Sequence, residues 1–168
     1  MNQTYTSAAT SINSAKLPHI FAAVGMPRGA VILDYGCGKY TDHILQHVNA
    51  QGAAYYPYDP YNQPDDVNTY SRNYVMLAHV SGVTTVAVLS NVLNVIKEDS
   101  VIIDIVDDAL NLTGNVIIAI YEGDRTGNGR QTGPDQWQRN ERKAAYIDLL
   151  QAHGFKAKSW HGFILVSA

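Results

Sequence analysis

Short apolar runs alternate with stripes of apolar residues at helical spacing along most of this chain. Ala30 to Tyr35 is a continuous run closing on Asp34-Tyr35-Gly36, which predicts a strand buried on both faces. From Thr41 to Val48, Ile44, Leu45 and Val48 share one helical face, and Asn49 to Gly52 ends that helix. Ala53 to Tyr58 reads as the next strand, stopped by Asp59-Pro60. Thr84 to Leu89 is a Val- and Thr-rich strand, and Asn115 to Tyr121 is another. Between them, Glu98 to Leu110 carries Val101, Ile102, Ile105, Val106, Ala109 and Leu110 at helical spacing. Asp104, Asp107 and Asp108 occupy the opposite face. Asp99 or Ser100 is placed to cap its start, and Thr113-Gly114 ends it.

The flanks follow the same alternation. Lys16 to Val24 has helical character, with Pro18 suited to an early position. Asn140 to His153 is a helix with Ala145, Tyr146, Leu149 and Leu150 on one face, and Gly154 is its stop. Phe155 to Trp160 and Phe163 to Ser167 are two strands joined by His161-Gly162, a tight hairpin turn. Two stretches lack a clear pattern. In Gln63 to Ser81, Tyr70, Tyr74, Leu77 and Ala78 fit one helix face. Gly123 to Gln138 reads as a long polar loop, a feature that usually has a function in a compact domain. The alternation argues for a doubly wound α/β domain with helices on both faces of a mostly parallel sheet. The last hairpin forces at least one antiparallel strand.

Composition narrows the class. The 168 residues suit one domain, 1–168, whose Ser/Thr/Asn-rich start (1 to about 13) is expected to be partly mobile. Hydrophobic residues make up 46 %, enough for a core, and the net charge of −3 gives no basic excess for a nucleic-acid backbone. Stable nucleic-acid binding is therefore disfavoured, although Arg125, Arg130, Arg139, Arg142 and Lys143 lie close in sequence. The one cysteine, Cys37, excludes an internal disulfide and a cysteine-based zinc site. No apolar run suits a membrane span and no signal-peptide pattern opens the chain, so a cytoplasmic protein is expected, or one of the host cytoplasm if viral. His43 and His47 share a helix face but lack a third ligand, and no metal is expected.

The chemistry concentrates at strand ends. A buried strand ends in Asp34, followed by Gly36-Cys37-Gly38 and then a helix. The glycines permit a sharp turn and leave room for a ligand beside the backbone. Tyr58-Asp59 closes the next strand, with Asp59 21 residues beyond Gly38. An acid at about that distance suits a ribose diol. The dinucleotide fingerprint asks for a third glycine where Thr41 stands. Asp34 is also poorly placed against a pyrophosphate and well placed for the cationic amino-acid end of S-adenosylmethionine.

Leu33-Asp34-Tyr35-Gly36-Cys37-Gly38, with Asp59 after the second strand, resembles the class I S-adenosylmethionine-dependent methyltransferases across nearly the whole chain. The resemblance implies a Rossmann-like sheet of the seven-stranded type with a C-terminal antiparallel hairpin. It implies a cofactor site formed by Asp34, Tyr35, Gly36, Cys37 and Gly38, by Asp59 and Pro60, and by Ser90, Asn91 and Val92. Ser90-Asn91-Val92-Leu93-Asn94-Val95-Ile96 is similar, more narrowly, to methyltransferases linked to DNA phosphorothioation and their small phage relatives. The chain departs from the family pattern at Tyr40, which replaces the third glycine, and in its weak third-strand signal. Asp66 and Asn68 are the candidates to flank an adenine.

The implied activity is methyl transfer to a small-molecule or nucleotide-type acceptor. Neither an Asp/Asn/Ser-Pro-Pro-Tyr/Phe motif nor a Pro-Cys nucleophile is present, which argues against DNA bases. Asn94, Tyr121 and Asp124 are the candidate catalytic residues, with Asn91 and Glu122 as further substrate contacts at strand ends. Arg125, Arg130 and Trp137 on the long loop suit a lid or an anion site. A non-catalytic cofactor-binding module and a nicotinamide-dependent oxidoreductase are the competing readings. Oligomeric state is not legible.

Overall fold

A computed structural model describes residues 11, 12 and 15–167 of the chain. The start expected to be mobile, residues 1 to 13, lies almost wholly outside them. In chain order the elements are α1 (Leu17–Val24), β1 (Val31–Tyr35), α2 (Thr41–Ala50), β2 (Ala54–Tyr58) and α3 (Asp65–Val80). β3 (Thr85–Ser90), a short 3-10 turn (Leu93–Val95), α4 (Asp99–Thr113) and β4 (Asn115–Ala119) follow. The chain ends with β5 (Arg130–Gly133), β6 (Gln136–Gln138), α5 (Lys143–Ala152), β7 (Lys156–Trp160) and β8 (Phe163–Ser167).

The main sheet has the strand order β2-β1-β3-β4-β8-β7. β1 pairs in parallel with both β2 and β3, and β3 with β4. β8 runs antiparallel to β4 and closes a hairpin with β7. Every residue of β1 is buried, and all of β3 but its last, because parallel strands covered on both faces need unbroken apolar runs. Val31, Leu33, Ala87, Leu89, Val116 and Ile118 point to one face, packed by Val75 of α3, Ile102 and Val106 of α4 and Tyr146 of α5. Ile32, Val86, Val88 and Ile117 point to the other, under Ile20 of α1 and Ile44 and Val48 of α2. The sheet is thus doubly wound.

Local chemistry sets the ends. Gly114 takes φ +72 and donates its N–H back to the Leu110 carbonyl (2.6 Å), a left-handed stop for α4. His161 and Gly162 both have positive φ, as a two-residue hairpin turn of matching twist requires. Neither Asp99 nor Ser100 is the N-cap of α4. The cap position is Glu98, without a side-chain cap bond, and the Asp99 carboxylate goes to Arg139 instead.

Three expectations are corrected. Among the described residues the sheet has six strands, not seven: from β2 the chain passes through one turn into α3, which crosses straight to β3. β2 is therefore an edge. On α3, Tyr70 and Leu77 are each 62 % exposed, and Asn68, Ser71, Val75 and Ala78 form the buried face. Tyr74 stacks on Tyr56 of β2 with centroids 4.5 Å apart, so the tyrosines shield the open edge rather than fill the core. The polar loop 123–138 contains the β5–β6 ribbon, a separate two-stranded sheet.

Ile102 of α4 is fully buried in the core between that helix and the sheet. Ile102→Ala is expected to lower unfolding stability by about 2–5 kcal/mol, read by chemical denaturation.

Candidate functional site

A cleft of about 990 Å³ opens over the carboxyl ends of β1, β3 and β4. β1 leads to β2 on one side and β3 returns on the other, so the loops leaving β1 and β3 diverge. The gap between them is the floor of the cleft.

The glycine turn forms its first wall. Gly36 and Gly38 take φ +80 and +62. The N–H groups of Gly36 and Cys37 both donate to the Tyr58 carbonyl at the end of β2 (2.7 and 3.3 Å). A Cβ on Gly36 would stand 2.5 Å from Val92 Cγ2. That glycine is therefore required by the approach of the β3 loop rather than by the room for a ligand expected of it.

Asp59 anchors the turn. One carboxylate oxygen accepts from Gly38 N–H (3.0 Å) and from Asn62 Nδ2 (2.9 Å). The other accepts from the N–H groups of Tyr61 and Asn62 (3.0 and 3.1 Å). Asn68 of α3 holds the Asp59 backbone on both sides, accepting from its N–H and donating to its carbonyl. Asn68 is thus a structural clamp and does not line the cleft. Asp66 lies in a separate shallow recess with Tyr55 and Tyr70. Neither candidate lines the cleft, because both stand on α3, which the chain enters directly after the β2 turn.

Asp34, on the face of β1 beneath α2, is 3 % exposed. Its Oδ2 accepts the Tyr55 hydroxyl (2.8 Å), while Oδ1 is buried without a partner among the described residues. Burial pushes its carboxyl up to about 7, against the Tyr55 hydrogen bond, and the charge of Asp59 adds to the rise. Burial, with Asp34 and Asp59 nearby, also pushes the Cys37 thiol upward, so it is no thiolate nucleophile.

All ten expected cofactor residues, Asp34 to Gly38, Asp59, Pro60 and Ser90 to Val92, line this cleft. Asn91 sits at positive φ (+59) and donates its N–H to the Ala119 carbonyl, joining the β3 loop to β4. Asn94, Tyr121 and Asp124 line the opposite end. Gln138 links two of them, accepting from Asn94 Nδ2 and donating to the Tyr121 carbonyl, both at 3.2 Å. Asp124 receives hydrogen bonds from the Thr126 hydroxyl and N–H, which hold its carboxyl below the usual range and make it a poor base. Glu122 points elsewhere: it accepts from Lys143 N–H at the start of α5 and pairs with Arg125. Arg130 and Trp137 line the cleft, and Arg125 does not. The basic cluster is dispersed, with Arg139 buried between Asp99 and Glu141. Among the described residues no three or more His, Cys, Asp or Glu side chains group for a metal. His47 packs edge-on against Phe21.

Some lining residues escaped the sequence. Ala15 to Leu17 form a wall, with Lys16 N–H donating to Ser90 Oγ (2.7 Å). Val101 and Ile105, part of an apolar helix stripe, line the cleft while packing against the edge of the core. Gln138 and Asn140 are polar residues of a loop whose path no local pattern announces. Asn140 takes positive φ (+59), a region that asparagine tolerates.

No family model matches the chain, and no curated protein matches it. Among solved structures it is similar to Burkholderia thailandensis 1,6-didemethyltoxoflavin-N1-methyltransferase, crystallised with 1,6-didemethyltoxoflavin and S-adenosylhomocysteine. The TM-score is 0.54 at 18 % identity, over 94 % of this chain and 77 % of that one. The chain has a Rossmann-like α/β fold, with a mostly parallel sheet and a C-terminal antiparallel hairpin. No helix among the described residues is long and apolar enough to cross a membrane.

Asp34 gives a pH signature independent of any ligand. In the folded chain it holds its proton up to about 7, against 3.8 ordinarily. The folded state is therefore favoured fully below about pH 4, and that advantage is lost as the pH rises toward 7. Asp34→Asn keeps an acceptor for Tyr55 and removes the charge. It should be more stable than the parent at pH 8, on the order of 2–4 kcal/mol, and nearly equal at pH 4, by urea denaturation.

Proposed function

We propose that this chain binds S-adenosylmethionine and transfers its methyl group to a small-molecule or nucleotide-type acceptor. The observation that carries the reading is Asp34, a buried carboxylate with one oxygen unmet, beside a glycine turn at the switch point of a methyltransferase-type sheet. A buried anion lacking a partner destabilises the fold, and a cationic ligand group removes that penalty. The ammonium and sulfonium of S-adenosylmethionine fit this donor set, whereas a pyrophosphate does not. The fold neighbour's pairing of S-adenosylhomocysteine with a small acceptor supports a two-ended cleft of the same use.

In this reading Asp34 holds the amino-acid end and the β3 loop, Ser90 to Val92, borders the nucleoside. Asp59 serves the ribose by exchanging one of its present donors. The most exchangeable is the Asn62 side-chain amide, because the three backbone N–H groups are fixed by the turn. The cofactor supplies an already activated methyl group, so the chain's task is to align the acceptor and exclude water. Asn94, nearly fully buried at the far end, is the best placed to orient an acceptor. Tyr121 closes the rim, and Asp124, a poor base, is left to position Thr126 at that rim. The Leu93-Asn94-Val95-Ile96 string supports the narrower kinship with phosphorothioation-linked and phage methyltransferases.

Isothermal calorimetry with S-adenosylmethionine, S-adenosylhomocysteine and NAD tests the cofactor. Micromolar binding of the two sulfur compounds and none of NAD is expected, and the reverse pattern would sink the proposal. Asp34→Asn should weaken both at least tenfold. Affinity for the parent should fall as the pH drops below about 7, since Asp34 must shed its proton to meet a cation. Asp59→Ala is a poorer probe, because it strips four hydrogen bonds from the turn as well.

A further inference from the structure

The acceptor end of the cleft contains two buried polar atoms that nothing among the described residues satisfies. One is an acceptor, Asn94 Oδ1; the other is a donor, Trp137 Nε1. Both residues line the cleft. Folded chains seldom leave such atoms unmet, and two at one end of a cleft point to a ligand.

The identity of the free Asn94 atom is fixed by its neighbours. Tyr121 offers a carbonyl, which can only accept, so Gln138 must present its NH₂ there and its oxygen to Asn94. Asn94 then spends its NH₂ on Gln138 and leaves its oxygen over. Turning either amide would set two oxygens against each other. Trp137 has no such ambiguity, since an indole nitrogen only donates.

Both unmet atoms are neutral, and together they ask for one donor and one acceptor. The same lining carries apolar side chains, Ile96 from the 3-10 turn's end and Val101 and Ile105 from α4, beside the polar Thr132 and Gln136 and the cation Arg130. Asp124, an acid of the same lining, accepts hydrogen bonds from Thr126, and the Lys97 ammonium lies 5.1 Å from the Trp137 ring centroid.

We propose that this end of the cleft takes a neutral, planar lactam-type heterocycle, whose ring N–H is given to Asn94 Oδ1 and whose carbonyl accepts from Trp137 Nε1. Asn94 and Trp137 are thereby specificity residues. The proposal rests on the reading of the cleft as a cofactor-and-acceptor site. Both atoms are closed to bulk water, so admitting the ring requires a small displacement of the β5–β6 ribbon that carries Trp137. Once formed, the contacts lie in a dry site, where a missing partner is strongly penalised.

The test is calorimetry on the full chain saturated with S-adenosylhomocysteine. The probes are quinazoline-2,4-dione, which keeps its ring N–H groups, and its 1,3-dimethyl derivative, which has the same carbonyls and no N–H. The dione should bind at least tenfold more tightly than the dimethyl compound. Trp137→Phe, which keeps an aromatic ring but loses the N–H donor together with the second ring of the indole, should weaken the dione at least fivefold without altering S-adenosylhomocysteine affinity. Asn94→Ala should abolish the preference between the two probes. Equal binding of both rings, binding of neither, or an unchanged Trp137→Phe overturns the lactam assignment while the cofactor reading stands. Failure of S-adenosylhomocysteine to bind overturns both.

Discussion

The carboxylate of Asp59 is the tie on which the cleft depends. It joins the end of β2 to the glycine turn after β1 through Gly38 N–H, and it shapes its own turn through Tyr61 and Asn62. The Tyr58 carbonyl adds two further links from Gly36 and Cys37. Strands that end at a switch point have no neighbour to hold their loops apart, so side-chain anchoring of this kind is needed to keep the gap open. Asn68 then fixes the Asp59 backbone to α3. The position of the first cleft wall thus rests on one acid and one amide.

Asp34, one strand away, has the opposite character. Where Asp59 accepts four hydrogen bonds, Asp34 accepts one and buries its other oxygen bare. A tied acid stabilises the fold, and a bare one burdens it. The contrast separates the two carboxylates: Asp59 builds the turn, and Asp34 keeps one oxygen that no described residue meets. A sequence cannot draw this distinction, because both residues stand after apolar runs and next to turns. The difference lies in which N–H groups the two loops happen to present, and that is a property of the fold.

The same limit explains what the chain's pattern revealed and what it hid. β1, β3, β4 and α4 were legible because burial on both faces or along one stripe forces unbroken or periodic apolar residues. The glycine turn and the ends of β1 and β3 were legible because strand ends carry recognisable punctuation. α3 was read on the wrong face. Its buried side consists of Asn68, Ser71, Val75 and Ala78, three of them small or polar, and its tyrosines cover a strand edge instead. Periodicity reports an apolar stripe without saying which surface it meets. The β5–β6 ribbon was hidden for another reason: its strands are short and polar, and it is held by Arg139 and Asn140 rather than by a core of its own.

Arg139 shows how such a ribbon is placed without hydrophobic packing. Its guanidinium donates to the Ile96 and Lys97 carbonyls and to the Asp99 and Glu141 carboxylates, while its own N–H donates to the Asn94 carbonyl. Asn140 beside it, left-handed and buried, donates to the Asn128 carbonyl and accepts from Asp124 N–H. The strap is therefore fixed at its base and connected to the rest of the domain mainly by directional bonds. A hydrophobic mount would tolerate many angles of approach, whereas these bonds permit few. Precision at the base and sparse packing at the tip are the combination a cleft needs where it must grip one ring closely and still open to receive it.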